Sequence, residues 1–180
     1  DGLLVVDTDI KDYDFRMDYY NNDGTWETMC GNGALCVVQL LNDKKFIFKK
    51  NKFVSGDGEH MIEYGEKIKI QIKSPSLKTK SIHIENHTGA HVDSGAKHFV
   101  TPLKFKKNLC NIAKNIRYSN EFQPDGINVN FFSVIDPNNI DIVTYEKGIE
   151  QIMNSCATGS VACIYYASLH QEMHSPVTSH

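Results

Sequence analysis

Two cysteines stand in matching surroundings. "MCGNGALCVV" (Met29 to Val38) and "NSCATGSVACI" (Asn154 to Ile164) each place a cysteine, two small or polar residues and a glycine ahead of an apolar run that reads as a helix. A helix N-terminus carries partial positive charge and unpaired N–H groups, so a cysteine there favours its thiolate. Glycine just after it lets a ligand approach the backbone, and the free N–H groups suit a carboxylate. Each stretch is a candidate thiolate beside an anion pocket. Two of them across one slot could take a proton from one face of an α-carbon and return one to the other. The charge that develops would be held by N–H groups at both helix ends.

A buried structural role is the leading reading for either cysteine alone, because free cysteine is among the most buried residue types. The paired contexts of Cys30 and Cys156 reverse that preference. A disulfide between them, as an oxidised inactive form, is a third reading. Cys36, Cys110 and Cys163 take the buried structural reading, with Cys36 and Cys163 inside helices and Cys110 in a surface helix.

Strands must do most of the positioning. "GLLVVD" is apolar and β-branched, and "DFRMDYY" alternates, with Phe15, Met17 and Tyr19 on one face. "HMIEY" and "KIKIQIK" flank Gly65 as a hairpin, with Ile68, Ile70 and Ile72 sharing a face. "SIHIE", "GAHVD", "KHFV", "NVNFFSV" and "IDIVTYE" follow, the last two joined by the turn "IDPNN". Helices are expected from about Gly33 to Leu41, from about Gly159 to Glu172, and at the surface over Lys107 to Arg117. In the last, Leu109, Ile112, Ala113 and Ile116 form a stripe. Strands and a thiol-headed helix recur, which suggests a two-fold internal repeat. The halves are residues 1–78, carrying Cys30, and 79–180, carrying Cys156.

Composition excludes several classes. The net charge of −3 offers no electrostatic case for nucleic acid or an anionic membrane, and no apolar run approaches the ~20 residues of a membrane span. Five cysteines, an odd number at low density, favour free thiols in a reducing compartment, hence the cytoplasm. Neither the cysteines nor the eight histidines have zinc-site spacing. "HIENHTGAH" reads as a surface hairpin in preference to a metal site. Arg16 and Arg117 are the only arginines, so only they can grip a carboxylate at two points. The sequence opens in mid-strand and stops after a helix, so truncation at both ends is expected.

"NNDGTWETMCGNG" resembles the Asn-x-Asp-Gly-Ser/Thr and Cys-Gly-Asn-Gly motif of the diaminopimelate epimerase family. "YEKGIEQIMNSCATGS" resembles that family's Tyr-Glu-Arg-Gly stretch leading to Cys-Gly-Thr/Ser-Gly. Between them, "DSGAKHFV" stands for its Gly-x-Pro-His segment and "PDGINVNF" for its Pro-x-Gly-x-Asn-Val run. Four motifs in order are far more specific than any one, and the resemblance covers essentially the whole chain. The resemblance implies an α+β fold of two pseudo-symmetric halves, each a mostly antiparallel sheet wrapped around a central helix. It implies cofactor-independent epimerisation in lysine and cell-wall precursor synthesis, acting on a small amino acid, with dimerisation as a family expectation. Cys30 and Cys156 would be the acid–base thiols, with His98 and Glu146 beside them setting their protonation. Gly31 and Asn32, with Ala157 and Thr158, would receive the α-carboxylate. Asn21, Asn128 and Lys147 would bind the distal end.

The chain also departs from the pattern. Lys147 replaces an arginine and keeps only its charge. Leu35 stands where arginine is common, Ala157 replaces a glycine beside the second thiol, and Ala96 and Lys97 replace the residues before the histidine. Gln151 to Met153 replace a Gly-Glu-Thr run, and an early Gly-Asn-Asp-Phe segment is absent. A same-fold racemase for another amino or imino acid is the alternative, as is a non-catalytic binding or dimerisation remnant. A thiol redox protein lacks its Cys-x-x-Cys.

Overall fold

Phe15, Met17 and Tyr19 are buried along strand β2 (Phe15–Asn21), while Arg16 between them is exposed, as their alternation requires. The computed structural model that shows this describes residues 2–84, 86–103, 107–170 and 173–180. The chain divides into two compact units, Asp1–Ser74 and Pro75–His180.

In the first unit β2 pairs with β1 (Gly2–Asp7) and with the short β3 (Trp26–Glu27), both antiparallel. Helix α1 (Gly31–Asp43) then crosses to β4 (Lys52–Ser55), which lies parallel to β2. Strands β5 (Gly58–Glu63) and β6 (Lys69–Ile70) extend the sheet in the order β1-β2-β4-β5-β6. Phe15 and Phe53, register partners across β2 and β4, stack at 4.8 Å and meet Val37 and Val38 of α1 in the core. Ile68, Ile70 and Ile72 pack together on this core as expected, although only Lys69–Ile70 pairs as strand. Strand β4 was not read from the sequence. Its "KNKFVS" is mostly polar, and its approach depends on Asp14, whose carboxylate accepts the N–H groups of Lys49, Lys50 and Lys52.

The second unit holds β7 (Ser76–Leu77), β8 (Ile82–Ile84), β9 (His87–Asp93), β10 (Lys97–Pro102), α2 (Leu109–Arg117), β11 (Asn128–Asp136), β12 (Asn139–Glu146), β13 (Gln151–Met153), α3 (Ala157–His170) and β14 (Thr178–Ser179). The main sheet order is β13-β12-β11-β10-β9-β7, with β10 and β11 parallel. Its two faces differ. Phe99, Val129, Phe131 and Tyr145 join Ala113 and Ile116 of α2 in one core. Val100, Phe132 and Ile140 join Ala162, Cys163 and Ala167 of α3 in another.

A common module is present in both units. β1-β2-β3-α1-β4 and β11-β12-β13-α3-β14 are each a three-strand antiparallel meander, a helix, and a return strand parallel to the meander's middle strand. The expected α+β, two-sheet architecture is what the structure has, and a thiol stands at the same point of each module.

The structure corrects several details. α1 and α3 begin at Gly31 and Ala157, two residues earlier than expected. α3 is described as far as His170, and the expected extension through Glu172 lies outside the described residues. "SIHIE" forms β8 up to Ile84, with Glu85 also outside. Cys36 and Cys110 are exposed, against the expectation that they are buried. Cys36 falls on the side of α1 opposite Ala34, Val37 and Val38, and Cys110 lies off the α2 stripe. Cys163 is buried, as expected. Among the described residues no group of three metal-ligating side chains occurs, and no helix is long and apolar enough to cross a membrane.

Candidate active site

Each thiol is the N-cap of its helix. Cys30 has extended backbone, its carbonyl accepts the N–H of Ala34 at 2.9 Å, and its sulfur accepts the N–H of Gly33 at 3.3 Å. Cys156 makes the same two bonds, its carbonyl accepting from Ser160 at 2.9 Å and its sulfur from Gly159 at 3.4 Å. A sulfur holding an N–H bond at the positive end of a helix is stabilised as thiolate. Both thiols are half-buried.

Glycine at the third helical position makes the cap possible. A Cβ on Gly33 would lie 3.2 Å from Cys30 Sγ and 2.9 Å from Leu4 Cδ2. One on Gly159 would lie 3.2 Å from Cys156 Sγ and 2.5 Å from Asn130 Oδ1. The segment leading to Cys30 is tied down at Thr28, whose carbonyl accepts the Ser55 hydroxyl at 2.8 Å.

Behind Cys156 lies a buried polar chain. Cys156 Sγ is 3.6 Å from Thr158 Oγ1, which is 3.0 Å from His98 Nε2. His98 Nδ1 is 2.9 Å from Asn130 Nδ2, and Asn130 Oδ1 accepts the Thr144 hydroxyl at 2.8 Å. Ser94 donates to the Thr158 carbonyl at 2.7 Å, fixing the first turn of α3. His98 is fully buried, and burial pushes its pKa down to about 3, so the ring is neutral. Sheet register assembles the chain, since Asn130 is opposite Thr144, and His98 is opposite Asn128. A cavity of about 60 Å³ opens beside the thiol, with Thr144, Ser155, Ser160 and His180 in its lining.

The remaining expected residues have definite places. Gly31 and Asn32 are the first two residues of α1, and Ala157 and Thr158 the first two of α3. Asn21 is buried at the end of β2, donating to Thr25 Oγ1 at 3.1 Å and Glu27 Oε1 at 3.4 Å across the turn into β3. Asn128 donates to the Lys97 carbonyl at 3.0 Å and accepts the Lys147 N–H at 2.9 Å, so it shapes the turn after β12. Glu146 ends β12, and Lys147 follows it. Glu150 braces the same turn, taking Arg117 Nε at 3.1 Å and the Gly148 N–H at 3.0 Å. Of the expected residues, then, Cys156, Thr158 and His98 join one network and Asn128 meets Lys147, while Cys30, Gly31, Asn32 and Asn21 belong to the first unit.

Asn130 and Thr144 are not among the candidate site residues that the sequence marks. Period-two reading from Asn128 and Glu146 would have placed Asn130 and Thr144 on the face that carries those two residues.

No family model matches the chain. The diaminopimelate epimerase of Aquifex aeolicus is 34% identical over 172 residues, which take in 91% of this chain and 62% of that protein. That of Flavobacterium psychrophilum is 36% identical over 167 residues, 90% of this chain and 62% of that protein. The chain thus spans less than two thirds of the length of these relatives. A probable proline racemase from Agrobacterium radiobacter K84, with bound carbonate, superposes with a TM-score of 0.73 at 13% identity, covering 99% of this chain and 64% of that one. A hydroxyproline epimerase from Agrobacterium vitis, with bound trans-4-hydroxy-L-proline, gives a TM-score of 0.70 at 14% identity, covering 94% and 59%. At such identity the two structures speak for the fold alone. The diaminopimelate epimerase of Thermotoga maritima is 33% identical over 170 residues, 92% of this chain and 68% of that protein, and with this extent of shared sequence the chain belongs to the diaminopimelate epimerase family.

Proposed function

We propose that the protein inverts the α-carbon of an amino acid, converting LL-diaminopimelate to the meso form, with Cys30 and Cys156 as the two acid–base groups. The observation that carries this reading is the matched pair of caps, in which each sulfur accepts the N–H of the glycine three residues on. Identity to proteins named diaminopimelate epimerase supports the substrate.

The reaction balances without a cofactor. One thiolate takes the α-proton, so the C–H bond breaks, an S–H bond forms, and the electron pair passes into the substrate carboxylate. The opposite thiol then gives its proton to the other face of the same carbon. Thiol and thiolate have exchanged places, and proton exchange with water resets them. The mechanism requires both sulfurs to reach one carbon. The first N–H groups of α1, at Gly31 and Asn32, and of α3, at Ala157 and Thr158, hold the carboxylate as its charge grows. His98, through Thr158, and Glu146 set thiol protonation. Asn21, Asn128 and Lys147 serve the distal end, Lys147 supplying charge without the two-pronged grip of arginine. This role places the protein in lysine and cell-wall precursor synthesis in the cytoplasm.

The test is α-proton exchange in deuterated water. Diaminopimelate should acquire deuterium and invert, and Cys30→Ala or Cys156→Ala should each abolish inversion. Inversion surviving in either variant removes the two-thiol mechanism. Exchange into proline in place of diaminopimelate would reassign the substrate, and exchange into neither would leave a binding remnant.

A further inference from the structure

We infer that Asn130 is a positioning residue that sets the direction of the hydrogen bonds running to Cys156, so that the Thr158 hydroxyl points its proton at the sulfur. The inference rests on Cys156 being an acid–base thiol and adds which groups hold it ready.

Asn130 Nδ2 lies 3.3 Å from the Phe99 carbonyl, which can only accept. The amide nitrogen must therefore face it, because the flipped amide would oppose two acceptors in a fully buried place. The Thr144 hydroxyl donating to Asn130 Oδ1 at 2.8 Å agrees. The same Nδ2 also faces His98 Nδ1 at 2.9 Å, so Nδ1 carries a lone pair and the ring proton sits on Nε2. Nε2–H then donates to Thr158 Oγ1 at 3.0 Å. Having accepted there, the Thr158 hydroxyl keeps its own proton to give, and Cys156 Sγ stands 3.6 Å away.

Two donors thus converge on one sulfur, this hydroxyl and the Gly159 N–H at 3.4 Å. That arrangement favours the thiolate. It also leaves His98 unable to act as a base toward Thr158, since its only lone pair faces Asn130. The titratable groups whose charges act on the relay are His91 and Asp93 of β9, which neighbour His98 from the other face of the sheet, and Cys163, which is coupled to Cys156, with His180 beside the thiol cavity.

The experiment is site-resolved alkylation of the full chain by iodoacetamide across pH, read by mass spectrometry, with Cys30 as internal reference. It is paired with nitrogen-15 NMR of the histidine rings. The wild-type protein should show His98 protonated on Nε2. Thr158→Val removes the hydroxyl while keeping its shape. It should move the Cys156 profile up by about one pH unit, or about tenfold slower alkylation below the midpoint, the size of one hydrogen bond to a charged group. Cys30 should be unmoved, and Thr158→Ser should restore the wild-type profile. Asn130→Asp should put the ring proton on Nδ1 and shift Cys156 in the same direction as Thr158→Val. His98 protonated on Nδ1 in the wild type, or an unmoved Cys156 profile in Thr158→Val, overturns the inference. Neither readout needs turnover. A relay that behaves as stated without substrate exchange would sink the epimerase reading alone, and exchange with an unmoved profile would sink the relay alone.

Discussion

Gly159 sits against Cys156 so closely that its own N–H bonds the sulfur at 3.4 Å, while a Cβ in place of its hydrogen would lie 3.2 Å from that sulfur. Gly33 stands in the same relation to Cys30, at 3.3 Å and 3.2 Å. The two glycines differ in what lies beyond, and that difference is measurable. Gly159→Ala drives a methyl to 2.5 Å from the buried Asn130 Oδ1, which should cost about 1–3 kcal/mol. Beyond the sulfur, Gly33→Ala meets the flexible end of Leu4, at 2.9 Å. The helix propensity gained, about 1 kcal/mol, should offset most of that contact. Urea unfolding of both variants checks the ordering.

Arg117 and Glu150 are 33 residues apart in sequence and joined by two hydrogen bonds, at 3.1 and 3.0 Å. Burial works against the Glu150 charge, but the Gly148 N–H and the Arg117 guanidinium outweigh it and hold the carboxyl below its ordinary value. Gly126, at φ +67°, leaves the space that the guanidinium fills. Arg117→Met should cost about 2–3 kcal/mol, less than a fully buried pair would, because the Glu150 side chain is 32% exposed. Adding Glu150→Gln should recover part of the loss. A double-mutant cycle by chemical denaturation measures the coupling.

His60 and Asp57 form a buried pair at 2.9 Å, with the other His60 nitrogen on the Gln71 carbonyl at 2.9 Å. Burial opposes the charge, yet the Asp57 and Gln71 hydrogen bonds and the Asp57 charge hold His60 above its ordinary value of 6.5. A raised folded pKa contributes stability that is fully present below pH 6.5 and lost as pH rises through the folded value. Unfolding free energy should therefore fall with rising pH in that window, and His60→Gln should flatten the slope.

His98 has the opposite sign. Its folded pKa of about 3 lies below the ordinary 6.5, so the unfolded chain binds the extra proton first. Stability should fall as pH drops from 6.5 toward 3, at about 1.4 kcal/mol per pH unit from this residue. His98→Gln should remove that contribution, and unfolding curves recorded between those limits would show it.

What could be read from the amino-acid sequence is what depends on near neighbours along the chain. The cap at Cys30 uses Gly33 and Ala34, and that at Cys156 uses Gly159 and Ser160, so both are written in five-residue patterns. The alternation of Phe15, Met17 and Tyr19 and the stripe on α2 likewise follow from strand and helix periods. Helical phase, which the same sequence contains, turns Cys36 and Cys110 off the buried sides of their helices and leaves them exposed.

Tertiary structure alone decided the rest. His98 meets Thr158 across 60 residues and Asn130 across 32, and the direction of hydrogen bonding through them depends on the Phe99 carbonyl. β4 finds its place parallel to β2 only after α1 has crossed between them. Hydrogen-bond polarity and parallel pairing join groups that are close in space and distant along the chain, so no local pattern encodes them. Burial then makes each such choice costly to reverse, because a reversed donor deep in the sheet has no water to turn to.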